Sequence, residues 1–187
     1  MVNYIVSGLE RSGTSLMMQI LDESRFPIVY DKQRKPDKHN PKGYYELFSG
    51  RIIDKIMKGE IDFSKYEDRA IKVTSYGLGL FPNDRDFKII YMTRDLNEVL
   101  SSQDKMMKQQ MLDVSDSETL SILNKINRDA CDIMTKSKNI DYIMVGYNML
   151  LKHPEGELSR VSKFLDYDVS KGIKVIDKKL YRNRSLK

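Results

Sequence analysis

The sequence predicts an α/β chain of three layers, a mostly parallel central sheet flanked by helices. Two observations carry that prediction. Short apolar runs alternate along the chain with stretches of helical periodicity, so strands separated by helices form βαβ units and a mostly parallel sheet. One of the runs, Phe87 to Met92, is apolar almost without interruption, as in a strand covered on both faces. A length of 187 residues suits one domain, here residues 1–187 with a basic C-terminal segment at 171–187.

In chain order, Tyr4-Ile5-Val6 is the first strand and leads into Ser7-Gly8-Leu9-Glu10-Arg11-Ser12-Gly13. A helix follows with Leu16, Met17, Ile20 and Leu21 on one face. The polar stretch from Asp31 to Gly43, with Pro36 and Pro41, reads as a loop. A second helix is predicted over Glu46 to Met57, with Ile52, Ile53 and Ile56 inward. Arg69 to Val73 is a short strand and Thr74 to Pro82 a loop. Phe87 to Met92 breaks at Thr93-Arg94-Asp95, and a helix carrying Val99, Leu100, Met106 and Met107 should follow. Another helix runs from Ser117 to about Lys136 with Leu120, Leu123, Ile126 and Ala130. Tyr142 to Val145 is a fourth strand, and Pro154 suits the first turn of a last helix with Leu158, Val161, Phe164 and Leu165. The methionines Met106, Met107, Met111 and Met134 fall at helical spacing and line a core or groove.

Composition narrows the function classes. Cys131 is the only cysteine, so no internal disulfide or thiolate-rich zinc site forms; a reducing compartment, the cytoplasm, is expected. The start Met1-Val2-Asn3-Tyr4 lacks the features of a secretory signal, and no apolar run approaches the ~20 residues of a transmembrane helix. The net charge of +5 is a C-terminal property. Lys171, Lys174, Lys178, Lys179, Arg182, Arg184 and Lys187 face one acid, Asp177, giving that segment +6 and the rest of the chain −1. Such a segment is either a solvated tail or an arm that meets an anionic ligand.

Ligands of parallel α/β sheets bind beyond the carboxyl ends of the strands, and the chemistry-bearing residues cluster there. Gly8-Leu9-Glu10-Arg11-Ser12-Gly13-Thr14-Ser15 has the spacing of a phosphate-binding loop, with Thr14 in place of the lysine. Two glycines let the backbone wrap an anion. The N–H groups of Gly13, Thr14 and Ser15, with the hydroxyls of Ser12, Thr14 and Ser15, would face it. In nucleoside triphosphatases the missing lysine meets the β/γ-phosphates; here the strong cation of the loop is Arg11. The second strong strand ends in Thr93-Arg94-Asp95, a cation placed to take another anionic group rather than a metal. The pattern asks for a doubly anionic ligand without a metal.

These residues resemble the sulfotransferase family that uses 3′-phosphoadenosine-5′-phosphosulfate (PAPS). Ser7 to Ser15 is similar to that family's 5′-phosphosulfate loop. Tyr91 to Ser102 resembles the segment in which an arginine after a strand and a serine eight residues on, here Arg94 and Ser102, hold the 3′-phosphate. Tyr147-Asn148-Met149-Leu150-Leu151, then Pro154 and Phe164-Leu165, follow the family's third stretch, with Asn148 where an acid is usual. The resemblance implies a P-loop-like fold and sulfuryl transfer from PAPS to an acceptor hydroxyl or amine, with 3′,5′-ADP as product and no metal. Its partners would be that nucleotide donor and an acceptor, not nucleic acid. It implies that Arg11 and the loop amides stabilise charge on the leaving phosphate, that Lys72 bridges to the transferring group, and that Glu46, or in its place His39, is the general base. Tyr147 would stack on or bond the adenine, and Arg182 in Leu180-Tyr181-Arg182 would reach the 3′-phosphate. Two other readings stay open: a nucleotide kinase or NTPase with a degenerate loop, and a non-catalytic nucleotide-binding module.

Overall fold

In the computed structural model of the chain, residues 2–37, 40–107 and 115–177 are described, with backbone alone for 104–107. Four strands form one sheet in the order β2-β1-β3-β4: β1 (Val2–Gly8), β2 (Ala70–Lys72), β3 (Asp86–Thr93) and β4 (Ile140–Gly146). Every pairing is parallel, with Ile5 opposite Ile71 and Ile89, and Tyr91 opposite Met144. The predicted α/β layering is therefore realised.

Side-chain alternation explains the apolar runs. On β3, Phe87, Ile89 and Tyr91 enter one core, while Ile90 and Met92 enter the core on the opposite face. On β1, Ile5 and Val6 divide in the same way. One face is covered by α1 (Thr14–Glu23) and α6 (Pro154–Leu165), through Met17, Ile20, Leu21, Leu158 and Val161. The other is covered by α2 (Ile52–Met57) and α4 (Asp116–Lys136), through Ile52, Ile56, Ala130 and Met134. Burial of such side chains contributes roughly 1.5–3 kcal/mol each before chain entropy is counted. Helix α3 (Leu96–Met107) follows β3, and Val99 and Leu100 pack with Leu9 and Leu123 in a third cluster. No helix among the described residues is long and apolar enough to cross a membrane.

The structure corrects three expectations. The helix predicted from Glu46 starts only at Ile52; before it, Phe48–Gly50 form a 3-10 turn. Phe48, Ser49 and Gly50 take left-handed conformations at φ 55°, 56° and 87°, and Asp31 accepts the Phe48 N–H. Tertiary contacts thus override helical periodicity, and Glu46 sits in irregular chain before this turn rather than in the first turn of a helix. The loop predicted at Thr74–Pro82 contains a 3-10 helix, Ser75–Leu80. The basic tail does not begin at Lys171: Ser170–Val175 is a further 3-10 helix packed on α1, with Val169 and Gly172 buried and Lys171 and Lys174 exposed. A short helix not read from the sequence, α5 (Tyr147–Lys152), follows β4 directly. Met111 and residues 178–187 lie outside the described residues.

Candidate active site

The site is built at the carboxyl ends of β1, β2 and β3, where the strand order changes direction at β1. β1 ends in Gly8 at φ 142°, where a side chain would meet the Met92 carbonyl oxygen and Ser12 Oγ at 2.5 Å. Only a glycine lets the chain leave the sheet so close to β3. The loop then passes Arg11 at φ 70° and Gly13 at φ 107° before α1 begins. Gly13 is the N-cap of α1 and no side chain caps that helix. A Ser/Thr cap, the ordinary explanation for hydroxyls at this point, is therefore not their role. Ser12 Oγ is buried and has no hydrogen-bond partner within the protein. A leftward-turning loop, an uncapped helix start and an orphaned hydroxyl are what an anion-binding loop provides.

Arg11 and Arg94 converge on this loop from two strands. Arg11 Nε donates to Ser102 Oγ on α3 at 3.0 Å. Arg94 NH1 donates to the Arg11 carbonyl oxygen at 3.1 Å, and its Nε donates to Glu98 Oε2 at 2.9 Å. The Arg94 guanidinium also lies 4.6 Å from the centre of the Tyr147 ring, and a side chain at Gly13 would strike Tyr147 Cδ2 at 2.5 Å. Asp95 starts α3 by accepting the N–H groups of Asn97 and Glu98 at 2.9 and 3.1 Å, which fixes Glu98 and Ser102 on the face toward the loop. Burial, opposed by Tyr44 and reinforced by the charge of Arg94, lowers the Arg11 guanidinium below its ordinary pKa. The arginine is thus poised to gain from an anion brought beside it.

A second group sits at the end of β2. Lys72 is 6% exposed, and its Nζ donates to the Tyr44 carbonyl at 2.5 Å, Glu46 Oε1 at 2.9 Å and Ser15 Oγ at 3.3 Å. Desolvation, opposed by Glu46, lowers its pKa. Glu46 Oε2 accepts Arg34 NH1 at 2.9 Å, so the carboxylate bridges two cations. Arg34 stacks at 3.6 Å on the Tyr44 ring, whose hydroxyl donates to Asp37 at 2.8 Å. Ser15 Oγ donates to the Tyr44 carbonyl at 3.2 Å and so ties this group to the start of α1.

The sequence-predicted residues Arg11, Ser12, Gly13, Thr14, Ser15, Glu46, Lys72, Arg94, Ser102 and Tyr147 are therefore brought to one end of the sheet. His39 and Arg182 lie outside the described residues. Tyr147 lies against the Arg94 guanidinium and Gly13. Sequence reasoning missed Arg34, Tyr44 and Glu98 as members of the site. Glu98 was legible as the i+4 partner of Arg94 on a helix; Arg34 carries no local signal, because only the folded loop brings it to Glu46.

A parallel α/β fold with a glycine-bounded loop between its first strand and helix, and an arginine after β3, is of the P-loop-like class. Within it the chain belongs to the sulfotransferase family: residues 78–171, half of the sequence, match the family's profile. That segment contains the Arg94–Ser102 and Tyr147–Leu165 blocks. Among solved structures, the chain is similar to the sulfotransferase domain of the Synechococcus PCC 7002 olefin synthase, at 15% identity and a TM-score of 0.53, covering 100% of this chain and 78% of that one. A sulfotransferase domain from the curacin biosynthetic pathway aligns at 14% identity and a TM-score of 0.45, over 99% and 78% of the two chains. The first shares its fold with this chain. No curated protein matches the sequence.

Proposed function

We propose that this protein transfers a sulfuryl group from PAPS to a hydroxyl or amine acceptor. The observation that carries the reading is the direct link between Arg11 and Arg94, which brings two cations together and supports a site for a nucleotide with phosphate at both ends. The buried, unpartnered Ser12 hydroxyl and the glycine cradle at Gly8 and Gly13 fit the 5′ end of that donor.

When bound, the donor supplies the transferable sulfuryl group and a bisphosphorylated adenosine as leaving group. The chain's own groups do the rest. Arg11 and the N–H groups at the start of α1 face the atoms on which negative charge grows, and donors fixed before the reaction stabilise it without reorganisation. Arg94 holds the 3′-phosphate with a planar fork suited to oxyanions. Ser102 accepts from Arg11 and has its own O–H to donate to the same phosphate. Lys72, touching Ser15 Oγ, adds a positive charge beside the loop. Glu46 is the proton acceptor for the acceptor hydroxyl, once it yields one of its two cation contacts.

Incubation with sulfur-labelled PAPS and a panel of phenolic, alcohol and amine acceptors tests this directly. Transfer is expected, and Glu46→Gln is expected to lower kcat by ~10²–10⁴-fold while binding 3′,5′-ADP like the wild type. Donor binding without transfer to any acceptor would point instead to a non-catalytic module. Magnesium-dependent ATP binding in place of PAPS binding would point to a kinase or NTPase.

A further inference from the structure

Arg94 is more than a second cation, because it belongs to a closed ring of contacts. Its Nε is held by Glu98, whose side chain is 1% exposed. Its NH1 holds the Arg11 carbonyl. Arg11 Nε returns to Ser102, which lies four residues after Glu98 on α3. Two residues on one helix face thus grip two arginines, and the arginines grip each other. Tyr147 closes the other side by contacting both Arg94 and Gly13.

Two physical arguments give the ring a purpose. Arg11 is a non-glycine residue at φ 70°, a strained backbone state that must be held by its surroundings. The Arg94–Arg11 hydrogen bond is attached to that residue. A fully buried ion pair, moreover, adds little net stability over apolar packing. What the Glu98–Arg94 pair supplies is orientation: a guanidinium anchored at Nε has its NH1 aimed at one point.

We propose that Glu98 is a positioning residue for the whole donor pocket: by fixing Arg94 it holds the Arg11 backbone in its anion-receiving shape, so that the two ends of the pocket are energetically coupled. The ligand in this statement rests on the proposed donor; the coupling rests on the ring.

The distinguishing probe is adenosine 5′-monophosphate, which lacks the 3′-phosphate. If Arg94 and Ser102 served the 3′ end alone, changing the ring would not alter the affinity for this ligand. NMR titrations of wild type, Glu98→Leu, Glu98→Gln and Ser102→Ala with 3′,5′-ADP and with adenosine 5′-monophosphate separate the cases. Glu98→Leu is expected to weaken both ligands at least tenfold. Glu98→Gln, which keeps an acceptor for Arg94, is expected to recover part of that loss. Ser102→Ala, a small change that keeps the fold should the Glu98 variants fail to fold, is expected to weaken adenosine 5′-monophosphate and to shift the amide signals of Arg11 to Thr14 in the ligand-free protein. A folded variant that binds adenosine 5′-monophosphate within twofold of wild type, with those amides unmoved, overturns the proposal and leaves the donor reading intact. A wild type that binds neither nucleotide overturns the donor reading; Ser102→Ala amides that still shift then sustain the coupling, and unmoved ones overturn it.

Discussion

Arg11 concentrates the contacts of the candidate site in one residue. Its side chain reaches Ser102, its carbonyl receives Arg94, and its backbone turns left-handed between two glycines. Burial lowers its guanidinium pKa, so positive charge is held where solvent stabilises it less and an anion stabilises it more. Replacing Arg11 by Ala is expected to lower turnover by ~10²–10³-fold, the scale of losing one pre-aimed donor. Steady-state rates, set against an unshifted thermal melt, check this. At this scale the sequence was informative where chemistry is local. Gly8, Gly13 and Arg11 declare themselves by spacing, and Arg94 by following a strand. Glu46 and Lys72 were legible as candidates, but their pairing was not. Arg34, which completes the bridge across Glu46, sits twelve residues before it in a polar loop with no periodicity to read.

Among the elements, the strands were the most legible, because both faces of β1 and β3 are covered and most of their central positions are apolar. The 3-10 segments were the least. Their short runs carry no repeat, and left-handed residues such as Phe48 and Ser49 are held by contacts from elsewhere in the chain, Asp31 among them. The Ser170–Val175 segment makes the same point. Its lysines read as a solvated tail, yet Gly172 is pressed onto α1, where an added Cβ would meet Ile20 Cγ2 at 2.5 Å and the Ile20 carbonyl oxygen at 2.7 Å. Backbone atoms cannot give way as a side-chain tip can. Gly172→Ala is therefore expected to cost about 1–3 kcal/mol, the usual range for overpacking, read as a lower midpoint in denaturant with an unchanged slope. An unchanged midpoint would show that this segment does not anchor on α1.

Over the whole molecule, burial and charge set how stability responds to pH. Burial pushes the Tyr91 phenol up to about 12, against the hydrogen bond from Ser75. Between its ordinary value near 10 and about 12, the folded chain keeps this proton while the unfolded chain releases it. The stability linked to Tyr91 is thus complete below about 10 and is lost as pH rises through about 12. Denaturant titrations at pH 9 and pH 11 should show the decline, and Tyr91→Phe should remove part of it. An equal decline in the variant would assign it to other tyrosines.

The architecture as a whole joins two cationic centres at the switch point of one parallel sheet. Its most direct test is a calorimetric titration of 3′,5′-ADP into the wild-type protein with divalent ions chelated. The account predicts saturable binding, at least tenfold tighter than that of adenosine 5′-monophosphate and unaffected by added magnesium. Equal affinity for the two nucleotides, or binding that appears only with magnesium, would contradict it.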